Sequence, residues 1–191
     1  MKRYLVFIVL FGLHSVLWSQ EELITLENEP IEFEADGFYI KKVTDAREVK
    51  GNIGFVQKGV FKKKKVNAGL KGGVETAVAD YLKENFPQDP TGVPIVIRIT
   101  KLNISESSSL PIKGMAEIQM EFLREKDGSL GKLYEAESYV EKPAVNVTAT
   151  HEERILEVIV SCLENFNESD WKTIEPAYFK EEEKTNNANQ N

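Results

Sequence analysis

The chain has 191 residues, of which 41% are hydrophobic and 9% aromatic, and its 31 acidic residues outnumber 24 basic ones. This length and composition predict one globular domain. The acidic balance argues against nucleic acid as the main partner, because phosphate binding requires a basic surface. A single cysteine also excludes a disulfide within the chain.

The first twenty residues differ from the rest. Lys2 and Arg3 precede an apolar run from Tyr4 that ends at Ser19 and Gln20, a pattern typical of a secretory signal peptide cleaved near Ser19 or Gln20. The alternative is an uncleaved N-terminal anchor, but the run is shorter than the roughly 20 apolar residues of a membrane span. We therefore expect a periplasmic or secreted protein. No cysteine follows the run closely, so we expect no lipid anchor.

Removing this segment makes the protein more acidic. The remaining residues contain 22 Lys+Arg and 31 Asp+Glu, a net charge of −9. We divide the chain into a signal peptide (1–20), an acidic leader (21–36), one domain (37–178) and a disordered tail (179–191), whose last residues are Glu, Lys, Asn and Gln without an apolar pattern.

Two β-like stretches open the domain. Residues 38–44 are rich in β-branched and aromatic side chains, and residues 53–66, interrupted by Gly59, predict a hairpin. The period then changes to that of a helix over residues 70–86, which ends before Pro87. The apolar face of this helix consists of Leu70, Val74, Ala77, Val78, Tyr81, Leu82 and Phe86.

A strand with a change of parity follows. Its apolar residues occupy odd-numbered positions first and even-numbered positions afterwards. For both sets to face the core, the strand needs a bulge or bend near Thr100 and Lys101. The two sets are Ile95, Ile97 and Ile99, then Leu102 and Ile104.

Two further strands complete an antiparallel meander. Residues 112–122 alternate between apolar and polar, as in a strand with one wet face. Asp127-Gly128 is a turn signal, and residues 130–140 form the next alternating strand, which we expect to end at Pro143.

A second amphipathic helix begins near Thr148 or Thr150, either of which could cap it. Its apolar face consists of Ile155, Leu156, Ile159, Cys162, Leu163 and Phe166. We expect Cys162 to be a small core residue, and the alternative is an exposed thiol that pairs two chains. His151, in the first turn beside Glu152 and Glu153, is expected to be exposed.

The predicted fold class is therefore α+β, with a mainly antiparallel sheet and two amphipathic helices packed on one face.

Part of this chain resembles a known family. Val43-Thr44-Asp45-Ala46-Arg47, followed by Gly51-Asn52-Ile53-Gly54-Phe55, resembles the V-x-D-x-R and I/L-G opening of the YajG-like lipoproteins, whose general organisation the ABC-transport auxiliary lipoproteins share. The resemblance implies an envelope protein without catalytic activity, and some members are accessories to lipid-transport machinery. The present chain lacks their lipid-carrying cysteine, so we expect any docking to go through a partner.

Asp45 and Arg47 are one candidate pair. They are two residues apart on an extended segment and so lie on the same side, which favours a structural ion pair. The alternative is a pair that contacts a ligand.

One dense basic run interrupts the acidic chain. On a strand it would place two lysines on each face, so we expect an exposed edge or hairpin tip, where lysines commonly block aggregation. The alternative is contact with anionic lipid headgroups or an acidic partner. The run consists of Lys62, Lys63, Lys64 and Lys65.

Catalysis finds little support in these residues. His151 is the only histidine after the first twenty residues, so a zinc site with several imidazoles is excluded, and no phosphate-binding glycine loop is present. We therefore predict no catalytic residues, no metal and no cofactor.

Three functions remain open at this stage. The first is a non-enzymatic envelope protein that acts as a binding or accessory module for a periplasmic or membrane partner. The second is a carrier or sensor of a small apolar or lipid ligand. The third is a secreted enzyme of unrecognised mechanism. An apolar cavity between helices and sheet would favour the second, and a solid core with an exposed apolar patch would favour the first.

Overall fold

A computed structural model describes residues 21–27, 29–58, 64–108, 110–144 and 146–180. The predicted signal peptide and residues 181–191 of the predicted tail lie outside the described residues. The predicted start of the tail at residue 179 is wrong, because Phe179 pairs with Leu130 in a short strand.

The described chain forms eight strands and two α-helices. The strands are β1 (Glu22–Ile24), β2 (Phe38–Asp45), β3 (Phe55–Lys58), β4 (Lys64–Leu70), β5 (Val93–Glu106), β6 (Lys113–Lys126), β7 (Ser129–Pro143) and β8 (Tyr178–Phe179). The helices are α1 (Val74–Asn85) and α2 (His151–Glu168), and single 3-10 turns lie at Thr148–Thr150 and Trp171–Thr173.

The larger sheet has the strand order β2-β5-β6-β7-β8. Strands β5 to β8 pair antiparallel, whereas β2 pairs parallel with β5. Both helices pack on one face of this sheet, because Phe38 of β2 contacts Phe86 at the end of α1 and Phe166 of α2. The predicted α+β class is confirmed.

The long strands follow the predicted pattern. The register of β5 against β6 shifts between Ile99 and Lys101, so both sets of apolar residues are buried despite their change of parity. Asp127 and Gly128 join β6 to β7 with φ angles of 51° and 71°, the positive values that a tight hairpin turn requires. As predicted, β7 ends at Pro143.

A smaller sheet, with the order β1-β4-β3, adjoins the large one. β3 and β4 form the predicted hairpin, whose connection lies outside the described residues. β1 pairs parallel with β4, and Ile24 and Ile31 are buried, so part of the predicted leader belongs to the packed fold.

The predicted helix start at Leu70 is wrong. Leu70 ends β4, because Ala68 and Leu70 continue the alternation of the strand and are buried. Gly72 and Gly73, both with positive φ, then turn the chain into α1.

An aromatic cluster fills one end of the space between helices and sheet. The ring of Phe166 stacks on Phe122 with centroids 4.3 Å apart, and it lies 4.9 Å from Phe38 and 5.3 Å from Trp171. Nearby on α2, Cys162 is buried, as predicted, and burial raises the pKa of its thiol to about 12.

The opposite face of the large sheet is mainly polar, apart from a small buried apolar cluster of Val96, Leu123 and Leu130. Cross-strand ion pairs cover it, including Lys101–Glu117 and Lys113–Glu141, each at 2.8 Å. Neither described helix is both long enough and apolar enough to cross a membrane.

Candidate functional site

Asp45 and Arg47 form an ion pair with two parallel contacts. Nε and Nη2 of Arg47 each donate a hydrogen bond of 2.9 Å to the Asp45 carboxylate. Burial would raise the pKa of Asp45, but the guanidinium outweighs it and holds that pKa below its usual value. Nη1 of Arg47 donates 2.8 Å to the carbonyl of Asn52. The pair therefore ties the end of β2 to the loop before β3.

An open groove lies beside this pair, between that loop and the bulge of β5. Val49, Thr100 and Asn103 are among its lining residues. Because each nitrogen of the Arg47 guanidinium already has an acceptor within the protein, the pair is better suited to holding the loop than to contacting a ligand.

Of the lysine run, Lys62 and Lys63 lie outside the described residues. Lys64 and Lys65 begin β4 and are exposed, and β1 pairs with β4 only from Ala68 onward. The ammonium group of Lys65 lies 4.1 Å from the centre of the Phe55 ring. The two described lysines of the run thus lie in the part of β4 that does not pair with β1.

The prediction that His151 is exposed is wrong. Its side chain is fully buried, and Nε2 lies 3.4 Å from Oε1 of Glu106. The reason is helical spacing, because His151 precedes the buried Ile155 by one turn and so shares its face. The glutamates that follow it, Glu152 and Glu153, turn away toward solvent.

Glu106 is the centre of a buried polar cluster. Its carboxylate accepts hydrogen bonds from the hydroxyl of Thr148 (2.7 Å) and the backbone N–H of Gln57 (3.2 Å). Burial would raise the pKa of Glu106, but the His151 imidazole and the Thr148 hydroxyl outweigh burial and lower it. The cluster therefore joins the β3–β4 hairpin, the end of β5 and the start of α2.

Arg154 is buried next to this cluster, and its charge interacts with that of Glu106. Its guanidinium donates hydrogen bonds to Thr150, through both the backbone oxygen and the hydroxyl, and to the carbonyl of Lys142. The histidine and the carboxylate that a catalytic mechanism would need are thus together, but both side chains are fully buried, where a substrate would not reach them. The arrangement is suited to joining elements.

A second surface was not predicted. Glu27 and residues 29–32 lie across both helices and are held there by hydrogen bonds. Tyr81 donates its hydroxyl to the carbonyl of Glu29 (3.1 Å), and the N–H of Ile31 donates to Asn85 (3.0 Å). The N–H of Glu27 donates to the carboxylate of Glu152 on α2.

This crossing creates an open groove of about 760 Å³, which we call the acidic groove. Ile31, Leu156 and Val160 supply apolar lining, and Lys142 is the one basic side chain among its described lining residues. Burial and nearby carboxylates raise the pKa of Glu152, although the Glu27 N–H opposes this. The seven acidic lining residues are Glu27, Glu29, Glu32, Glu152, Glu153, Glu157 and Glu164.

Part of the acidic groove was visible in the sequence. Glu153, Glu157 and Glu164 have the spacing of one helix face. That the leader would lie against this face depends on contacts more than a hundred residues apart, which no local pattern contains. Within the described ranges, no three His, Cys, Asp or Glu side chains converge on a metal site.

Comparisons with known proteins add little. No family model and no curated protein matches this chain. Among solved structures, a crystal structure of a Xanthomonas campestris protein assigned to the DUF330 family matches with 10% sequence identity and a TM-score of 0.42, over 77% of this chain and 91% of that one. No functional assignment follows from this likeness.

Proposed function

We propose that the protein is an exported, non-enzymatic binding or accessory module of the cell envelope that docks a protein partner with basic residues. The single observation that carries this proposal is the acidic groove. Export and an accessory role remain expectations from the N-terminal segment and from the resemblance to the YajG-like lipoproteins.

The charges of the acidic groove favour a basic partner. Of its seven glutamates, only Glu157 has an ion pair among the described residues, with Lys142. Of the others, Glu27, Glu29 and Glu153 lie near enough to Glu152 to raise its pKa, and like charges at short range raise the free energy of the site. Basic side chains of a partner would relieve this repulsion and speed association.

The packing also favours a protein partner over a small apolar ligand. The aromatic side chains of Phe38, Phe122, Phe166 and Trp171 contact one another between the helices and the sheet. The acidic groove, in contrast, is open to solvent and lined mainly by charged residues. An apolar ligand is bound best by an enclosed apolar cavity, so these features support the first of the three functions.

Photo-crosslinking in intact cells tests this proposal. A benzophenone amino acid replaces Glu153 in the acidic groove, and the control carries it at Lys101 on the polar sheet face. We expect a crosslinked protein partner at position 153, reduced by adding Glu164→Lys, and none at position 101. Equal crosslinking at both positions, or recovery of the uncrosslinked monomer alone, would count against the proposal.

The lysine run supports a second contact, with an anionic surface. Lys64 and Lys65 are exposed, and each lysine near an anionic membrane contributes about 1 kcal/mol of binding free energy. Replacing Lys62, Lys63, Lys64 and Lys65 by Gln should abolish cosedimentation with vesicles that contain phosphatidylglycerol. Absence of binding by the unchanged protein, or binding that the replacement leaves intact, would end this idea.

A further inference from the structure

The two edges of the large sheet differ in whether side chains bond to their outward-facing backbone groups. On the outer edge of β2, the N–H of Ile40 donates to the side chain of Gln88 (2.6 Å), and the N–H of Asp45 donates to the Glu75 carboxylate (3.2 Å). Side chains from α1 and from the residues after it thus occupy donors of this edge. Such covering prevents another chain from adding a strand.

The edge of β7 lacks this covering. β8 pairs only with Leu130 and Gly131. From Glu135 to Glu141, β6 is the one described segment that hydrogen bonds to the backbone of β7, and Tyr139 within this stretch is 57% exposed. A strand hydrogen bonded on one side presents a row of free N–H and C=O groups on the other, which is the template for strand addition. We call residues 135–141 the open edge.

The charges of the open edge decide between its candidate occupants. A second copy of β7, paired antiparallel about Ser138, would place Glu135 opposite Glu141, and pairing about Glu137 would place that residue opposite itself. Like charges directly opposite each other destabilise a sheet. A second copy therefore fits poorly.

The chain's own C-terminal residues also fit poorly. β8 runs antiparallel to β7, and its Phe179 pairs with Leu130, so the chain leads toward Ser129 and away from the open edge. Residues 181–183 are all glutamate, which repels the same carboxylates. A basic segment from another protein meets neither objection.

We propose that the open edge accepts an extended segment of a protein partner as an added strand, with lysine or arginine at alternate positions. One basic side chain would pair on the polar sheet face with Glu137, which has no ion pair among the described residues. The other basic side chains would lie beside Glu135 and Glu141, which already pair with Lys132 and Lys113. The residues between them would lie on the face of half-buried Ser138 and Val140. This inference rests on the proposed function as a binding module, and it assigns a surface distinct from the acidic groove.

Hydrogen exchange with a defined probe tests the proposal. The probe is a nine-residue peptide that alternates lysine and valine, and the control peptide has proline at its centre, which removes a donor. The protein is the chain from residue 21 onward. We expect the lysine–valine peptide to slow amide exchange in residues 134–142 by about tenfold and the proline peptide to have no such effect.

Two variants with the same change of charge locate the site. Glu137, which has no ion pair among the described residues, is replaced in Glu137→Lys, and the acidic groove is altered in Glu164→Lys. We expect Glu137→Lys to weaken peptide binding about tenfold and Glu164→Lys to leave protection of the open edge unchanged. Circular dichroism confirms that both variants fold.

The contrary outcomes are distinct. Protection of residues 27–32 and 152–164 in place of β7 would overturn the open-edge proposal and support the acidic groove. Absence of protection at β7 would also overturn it, and the crosslinking experiment would then decide the proposed function alone. Amides of β7 that bond to β6 are protected in any case, so the diagnostic amides are those that point away from β6. Slow exchange of these outward-pointing amides in the free protein, whether dependent on concentration or not, would assign this edge to a second copy or to the chain's own residues and overturn the proposal.

Discussion

The two ends of α2 are held in place by different interactions, polar at one end and aromatic at the other. At its N-terminal end, His151 and Arg154 belong to the buried polar cluster around Glu106, where hydrogen bonds and opposite charges hold hairpin, strand and helix together. At its C-terminal end, Phe166 stacks in the aromatic cluster. The aromatic end depends on buried area and is indifferent to protonation. The polar end depends on every member being present and on the Glu106 carboxylate being charged.

The largest expected effect breaks the aromatic end. Phe166→Ala removes a fully buried ring that contacts Phe38, Phe122 and Trp171, and it leaves a cavity. We expect a loss of about 4 kcal/mol in the free energy of unfolding, measured by urea denaturation. The exposed neighbour in Asn165→Ala should cost less than about 0.5 kcal/mol. A loss at Phe166 no larger than this control would show that the ring is not an anchor.

A smaller effect breaks the polar end. Glu106→Gln keeps the shape of the side chain but removes a buried charge that lies beside His151, accepts a hydrogen bond from Thr148 and interacts with the charge of buried Arg154. We expect a loss of about 3 kcal/mol. Glu117→Gln on the polar sheet face, where Glu117 pairs with exposed Lys101, should cost less than about 1 kcal/mol. Equal costs for the two variants would remove the distinction between a buried cluster and a surface pair.

The smallest effect sharpens the comparison through pH. The pKa of Glu106 is lower in the folded protein than its ordinary value, so its contribution is present above about pH 4.5 and is lost as pH falls through the folded-state pKa. One proton changes stability by at most about 1.4 kcal/mol per pH unit. Hydrogen exchange at falling pH, corrected for intrinsic rates, should show residues 148–155 opening before residues 162–168. The reverse order would contradict the assignment of the two ends.

Local patterns predicted the long strands and the apolar face of α2, to which Phe166 belongs. The parity change from Ile99 to Leu102 predicted the bulge of β5, because only a shift in register keeps both sets of side chains inward. Asp127-Gly128 predicted the hairpin for a similarly local reason, since its turn needs two residues that adopt positive φ.

Contacts between distant segments were not predictable in the same way. β1 and β2 pair parallel with strands more than forty residues away, and such pairing leaves no turn signal in the sequence. Glu106 meets Thr148 across 42 residues, so the buried partner of His151 was not predictable, although its spacing of one turn from Ile155 already placed His151 on the buried face of α2. The ion pair of Asp45 and Arg47 was predictable because both partners lie within one extended segment.

The buried thiol of Cys162 has a practical consequence. With a pKa near 12, less than about one molecule in ten thousand is a thiolate at pH 7, and the side chain lies beneath α2. An alkylating reagent will therefore react only with molecules in which this helix has lifted from the sheet. Cys162 is the only cysteine of the chain, so each molecule can be alkylated once. The alkylation rate, measured by mass spectrometry, therefore reports how often this helix opens, without an engineered label.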